Sequence, residues 1–235
     1  METTSVGHSI HRYQRRLVRA VSVAVLSAVS LMGQACIPYT VGTTAHPVES
    51  KEPTTTFIWY TIPNGFAVNG DSAQIAFMGV DMETRVRVSE RADAGLRTTG
   101  FTGLVFNLKY LLTPPIPEEG MAVSVMPGFG IVNAGNHAYF ETSLLLSAPR
   151  SVVTPYGGLR GSQVVPMSVG AESDSPTAGG FFGVLFGDEE MGVSAEVGVF
   201  YDESTLGLRS SDVIIVPAFV IHGSKLLKAL FGRLR

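Results

Sequence analysis

From Met82 onward the chain alternates between apolar and polar residues over long stretches. "METRVRVSER" sets Met82, Thr84, Val86 and Val88 on one face and Glu83, Arg85, Arg87 and Ser89 on the other. "ADAGLRTTG" opposes Ala92, Ala94 and Leu96 to Asp93, Gly95 and Arg97. "LVFNLKYLL" opposes Phe106, Leu108 and Tyr110 to Val105, Asn107 and Lys109. "HAYFETSLLLS" opposes Phe140, Thr142, Leu144 and Leu146 to His137, Glu141, Ser143 and Ser147. "MGVSAEVGVFYD" opposes Val193, Ala195, Val197, Val199 and Tyr201 to Gly192, Ser194, Glu196, Gly198 and Asp202. A period of two means strands with one apolar and one polar face. "AVSVMPGFGIV", "VVTPYGGLRG", "GGFFGVLFG" and "SDVIIVPAFVIHG" extend the series, with Pro127, Pro155 and Pro217 at bulges or strand starts.

Short polar connections in "SERAD", "NAGN" and "GDEEMG" imply antiparallel hairpins. "LTPPIPEEG", "SQVVPMSVGAESDSPTAG" and "DESTLGLRSSD" read as longer loops. The expectation is an all-β antiparallel meander of nine strands between Met82 and His222, with a tenth in "FIWYTIPNGF" or "AQIAFMG". Such a meander of 8–10 strands closes into a barrel, and no αβ alternation is present.

Closure has two solutions. In water the apolar face turns inward, as in a tethered binding barrel holding an apolar ligand. In a bilayer it turns outward and the polar face lines the lumen. Several strands reach the roughly 9–11 residues that a tilted membrane strand needs. The polar faces are mostly Gly, Ser, Asn and Thr. Their sparse charges are Glu83, Arg85, Arg87, Asp93, Arg97, Lys109, Glu141, Arg160 and Glu196. One arginine facing lipid at mid-membrane costs about 2–4 kcal/mol, so these nine are predicted to face the lumen and pair there. The long connections also fall on one side of a short one.

The N-terminal end carries a different pattern. Arg12, Arg15, Arg16 and Arg19 precede the uncharged "AVSVAVLSAVSLM", and "GQAC" follows. A basic head, a short apolar run and a small-residue exit make a secretory signal peptide over residues 1–35. The run is shorter than the about 20 residues of a membrane helix. Cleavage falls either after Ala35 as an ordinary site or before a lipidated Cys36, the only cysteine in the chain. Residues 36–56 are Thr/Pro-rich and aperiodic and read as a tether, followed by a barrel domain over 57–222. In "SKLLKALFGRLR" Leu227, Leu230, Phe231 and Leu234 lie opposite Lys225, Lys228 and Arg235, which predicts a short basic amphipathic helix within 223–235.

From Gly79 to His222 the chain resembles small bacterial outer-membrane β-barrel proteins, a resemblance carried by "RVRVSERADAGLRTTGFTGLVFNLKYLL". It implies a barrel inserted in the outer membrane, with membrane lipid as its partner, and no finer activity. The chain departs from that group in its lipoprotein-like signal and in running past its last strand.

Composition fits an envelope protein. Charged residues are 16% of the chain and Gly is 26 of 235 residues. Formal net charge is −3, which gives no basic face for nucleic acid. Candidate chemistry is thin. His222 and Ser224 stand two apart, and His137 and Glu141 lie about 13 Å apart along a strand, too far for a direct pair. There is no zinc-type spacing or phosphate loop. Trp59 reads as a packing or interface residue. The expectation is a structural, narrow-pore or surface-interaction barrel with no catalytic residue, no metal and no cofactor.

Overall fold

The computed structural model describes residues 38–67, 74–100, 102–114, 120–148, 152–171, 175–202 and 213–223. The signal peptide, Cys36 and the predicted helix beyond Gly223 lie outside them. The described strands are β1 (Thr54–Ala67), β2 (Gln74–Ser89), β3 (Ala92–Thr99), β4 (Gly103–Leu111), β5 (Ala122–Val132), β6 (His137–Ser147), β7 (Val153–Pro166), β8 (Thr177–Gly187), β9 (Gly192–Tyr201) and β10 (Val213–His222). Each pairs antiparallel with its chain neighbours, and β1 pairs with β10 to close the barrel.

Several boundaries differ from the sequence reading. "QIAFMG" and "METRVRVS" fall in a single strand, β2, because the alternation runs unbroken through Gly79 and Asp81. The tenth strand is therefore β1, which begins at Thr54, inside the segment read as tether. The β7–β8 loop shrinks to 167–176, since "SQVVP" continues β7 and "TAG" opens β8. Its length is matched by connection 112–121 at the opposite end, so loop length alone does not distinguish the two ends.

We call the end where β1 starts and β10 finishes the near rim, and the other the far rim. The β5–β6 turn at the far rim carries three consecutive positive φ values, Asn133 (55°), Ala134 (54°) and Gly135 (89°). Asn and Gly tolerate this region, and Ala134 is held there by the turn.

The apolar face points outward. Met78, Val80, Leu96, Phe106, Phe129, Phe140, Leu144, Phe182, Val199 and Phe219 are all exposed, while the alternating polar positions are buried. Two inward tyrosines lie flat across a facing glycine. Tyr60 pairs with Gly79, where a Cβ would fall 2.2 Å from the ring, and Tyr156 pairs with Gly183, where it would fall 2.3 Å away. Part of the glycine enrichment thus serves to seat rings against the inner wall.

Gly79→Val and Gly183→Val each overpack this wall and should destabilise the barrel by about 1–3 kcal/mol. Gly161→Ala is the control, because its nearest contact would be an ordinary 4.0 Å. Urea midpoints of the folded protein in detergent micelles decide the matter. Equal midpoints for all three would show that the ring–glycine contacts carry no packing energy.

Candidate functional site: a charge-lined lumen closed by the N-terminal segment

Eight strands give an interior that side chains fill, and ten leave more room. The chain fills that room with itself. Tyr39, Thr40, Val41, Thr43, Thr44, Ala45 and Val48 are each no more than 3% exposed, inside the barrel. The segment enters at the far rim, where Tyr39 Oη donates to Asp202 Oδ2 at 2.8 Å. It leaves at the near rim, where Val48 N–H donates to Asp93 Oδ2 at 2.8 Å. Nine residue steps of about 3.3 Å span about 30 Å, enough to run rim to rim. Residues 38–48 are therefore a lumen plug rather than a solvated tether. The physical reason lies in its composition. An aperiodic Thr/Gly segment leaves its backbone N–H and C=O groups free, and the inward charges need such partners.

Those charges form linked sets. Arg85 contacts both Glu83 and Asp93 and donates to Asn107 Oδ1 at 2.8 Å. Asn107 returns a bond to Glu83 Oε1 at 2.8 Å, and Lys109 Nζ lies 3.3 Å from Asp93 Oδ2. Gly95 makes the space, since a Cβ there would stand 2.5 Å from Asn107 Oδ1 and 2.6 Å from Glu83 Oε1. Arg97 pairs with Asp81 at 2.6 Å, and Arg160 pairs with Glu141 and donates to Tyr139 Oη at 3.0 Å.

Each set also grips the plug. Arg97 and Arg160 both donate to the carbonyl oxygen of Thr40, at 2.5 and 2.6 Å. Glu196 accepts from Val41 N–H and Gly42 N–H, both at 2.8 Å, and from Tyr156 Oη at 3.0 Å. Gly42 has φ +65°, and its left-handed backbone lets two successive N–H groups aim at one carboxylate. Lys109 donates to Thr43 Oγ1 and Thr44 O, and Ser124 to Ala45 O. At the near-rim turn Glu189 accepts from Thr44 N–H and Oγ1, each at 2.7 Å. Burial pushes the Glu189 carboxyl up. The opposing charges of Lys109 and His222 and the Thr44 N–H outweigh it and hold it below the usual glutamate value.

Of the nine charges singled out in the sequence, Glu83, Arg85, Asp93, Arg97, Lys109, Glu141, Arg160 and Glu196 are buried in the lumen. Arg87 is not among them. It keeps register opposite Asp93 but stands at the near-rim end of β2, where it donates to Glu49 O at 3.0 Å. Asp81, Tyr139, Tyr156 and Asp202 belong to the lumen and were absent from that set. Asp81 and Tyr139 stood two residues before Glu83 and Glu141, on the same alternation. The plug had no periodic signal at all.

His222 bonds Ser194 Oγ at 2.9 Å, with Ser224 outside the described residues. A serine bonded to an imidazole is the opening pair of a nucleophilic site. Both residues are buried at 1% exposure. His137 meets Asn133 at 3.3 Å. Among the described residues no cluster of three or more His, Cys, Asp or Glu could hold a metal ion. The chain matches no protein-family model, no curated protein and no solved structure.

Removing one member of a buried pair leaves its partner uncompensated. Arg85→Ala should cost about 3–5 kcal/mol. The pair Arg85→Met, Glu83→Gln, which leaves Asp93 to Lys109, should recover most of it. Urea unfolding in micelles measures both, and an Arg85→Ala value near zero would mean that water already screens the set.

The plug should also respond to acid. A carboxyl whose folded pKa is lowered stabilises docking above the usual glutamate range and loses that contribution as pH falls through the lowered value. In Cys36→Ala, Ala45→Cys should resist dithiodipyridine at neutral pH and react as pH drops below that range. Adding Glu189→Gln should raise reactivity at neutral pH and flatten the dependence. A reactivity independent of both would remove Glu189 from plug docking.

Proposed function

We propose that this chain is a bacterial outer-membrane β-barrel protein, lumen closed by its own N-terminal segment, with a structural or surface-interaction role. The observation that carries this reading is the inverted polarity: paired charges inside and a continuous apolar coat outside. A monomer in water rarely exposes an apolar patch above a few hundred Å². In lipid the same coat is favourable and the inward charges avoid hydrocarbon. On β2 the outward positions Met78, Val80, Met82, Val86 and Val88 are exposed and apolar. Ten residue steps of about 3.3 Å, tilted by about 40°, rise about 25 Å, the height of a membrane barrel's apolar band.

The tethered module with an apolar interior fits less well. The lumen is occupied by ion pairs and by residues 38–48, and an open narrow pore is disfavoured for the same reason. Lipidation of Cys36 after signal-peptide removal is part of the proposal. Pro38 and Tyr39 lie towards the far rim, so an acyl anchor two residues earlier would tether the chain at the end opposite Thr54.

The test is extraction of isolated membranes with alkaline carbonate and urea. The Cys36→Ala protein, keeping its own export signal, should stay in the pellet as the wild type does. Release of the variant alone would assign the hold to the acyl anchor and sink the transmembrane reading.

A further inference from the structure

The lumen carries more negative charge than its ion pairs absorb. Among the described residues, six buried carboxylates stand against four buried Arg and Lys side chains. The pairs take up Asp81, Glu83, Asp93 and Glu141. Glu196 stands outside these pairs. Residues 38–48 contain no Asp, Glu, Lys or Arg, so the plug leaves the excess as it is.

Glu196 lies at mid-height on β9, opposite Gly183 of β8 and Ala218 of β10. The plug backbone meets its charge through Val41 N–H and Gly42 N–H, both at 2.8 Å. Such bonds satisfy the carboxylate oxygens and leave the full charge in place. If the plug withdraws, both N–H groups go with it. A carboxylate halfway along a narrow lumen then needs a positive partner. Arg97 and Arg160 do not supply one, since each keeps its own carboxylate, Asp81 or Glu141.

The wall has room for such a state. The plug belongs to no strand ladder, and exposed residues Glu49, Lys51, Glu52 and Pro53 tie it to β1 at the near rim, which gives it an exit there. An extended chain fills a cross-section of about 4.8 by 10 Å, and its withdrawal opens a slot of that order. That width passes small ions with part of their water and excludes larger solutes. Ser143 Oγ, on the inward face of β6 and 0% exposed, has no hydrogen-bond partner beside the plug, and neither has Arg160 Nε. The lumen thus already holds polar groups with capacity for water.

We propose that the lumen conducts small monovalent cations when residues 38–48 withdraw, with Glu196 as the mid-height group that selects them over anions. Carboxylates lining a narrow path favour cations in this way. The inference rests on the transmembrane reading, because conduction needs a barrel that crosses the bilayer.

The test is single-channel recording in planar bilayers under a KCl gradient, with every protein in a Cys36→Ala background. Gly42→Val is the release variant. With φ at +65° and a Cβ 2.6 Å from Ile58 Cδ1, a valine does not fit the docked plug, and the wall is untouched. Val41→Glu, which sets a charge in an apolar cluster with Leu111, Met126 and Leu145, is a second release variant. Ala45→Cys added to either reports withdrawal by its reactivity towards dithiodipyridine. Both should conduct where the Cys36→Ala parent stays closed, with potassium favoured over chloride about tenfold. Glu196→Gln added to a released protein should cut that ratio about threefold. Withdrawal without conductance, conductance without cation preference, or a ratio indifferent to Glu196→Gln overturns the proposal. So does an unreactive Ala45→Cys in both variants, because the wall then does not let the plug go. Carbonate extraction of the same proteins reports separately on the transmembrane reading.

Discussion

Charges on the inner face of a closed strand ladder cannot reach bulk water by bending away, since the backbone of the wall is committed to its neighbours over most of its length. They must find partners inside. The rest of this structure follows from that requirement. Arg85 lies between Glu83 and Asp93, and Asp93 is shared with Lys109. Arg97 and Arg160 each take one carboxylate, from Asp81 and Glu141. These pairs leave acceptors and donors still unmet, and a ten-stranded wall leaves space between them. Residues 38–48 supply both the missing groups and the missing volume. Replacing buried pairs by apolar groups is often neutral or stabilising, so their presence here is not evidence of strength. What they provide is a set of directed contacts that fixes where an otherwise featureless peptide lies.

The inversion of polarity was ambiguous in the sequence for a simple reason. A period of two states that a strand has two unlike faces, and it does not state which faces the axis. The charge types resolved part of it, because a run such as Glu83, Arg85, Arg87 on one strand opposite Asp93 and Arg97 on the next is self-complementary. The strands, their order and their closure were legible from alternation and turn chemistry. Arg87 shares the alternation of Glu83 and Arg85 but ends at the near rim, because a period of two gives a residue's face and not its height along the barrel. Asp81 was missed only because the strand was started one residue too late.

The plug was illegible for a deeper reason. Extended chain bonded through its own N–H and C=O groups has no preferred side-chain pattern, so "IPYTVGTTAHPVES" looks the same whether it is solvated or threaded. The clue in that stretch was composition: small residues, hydroxyls, and a glycine at Gly42, where φ is +65° and a Cβ would fall 2.6 Å from Ile58 Cδ1.

Wall and plug are held by different bonds, and this separates their stabilities. The ladders from β1 round to β10 use backbone donors and acceptors and include none from residues 38–48. The plug is held by side chains projecting from that wall: Glu196 on Val41 and Gly42, Glu189 on Thr44, Arg97 and Arg160 on Thr40, Asp93 on Val48. Detaching the plug therefore breaks no ladder bond. The cost falls on the charges, which would lose their plug partners while keeping one another. A barrel whose ions are already paired among themselves is the kind that can lose its plug and stay closed as a wall. The β1–β10 seam is the exception, because the plug's Tyr39 packs directly on its inner face where the ladder has already ended. Plug position and seam integrity are coupled at that one place.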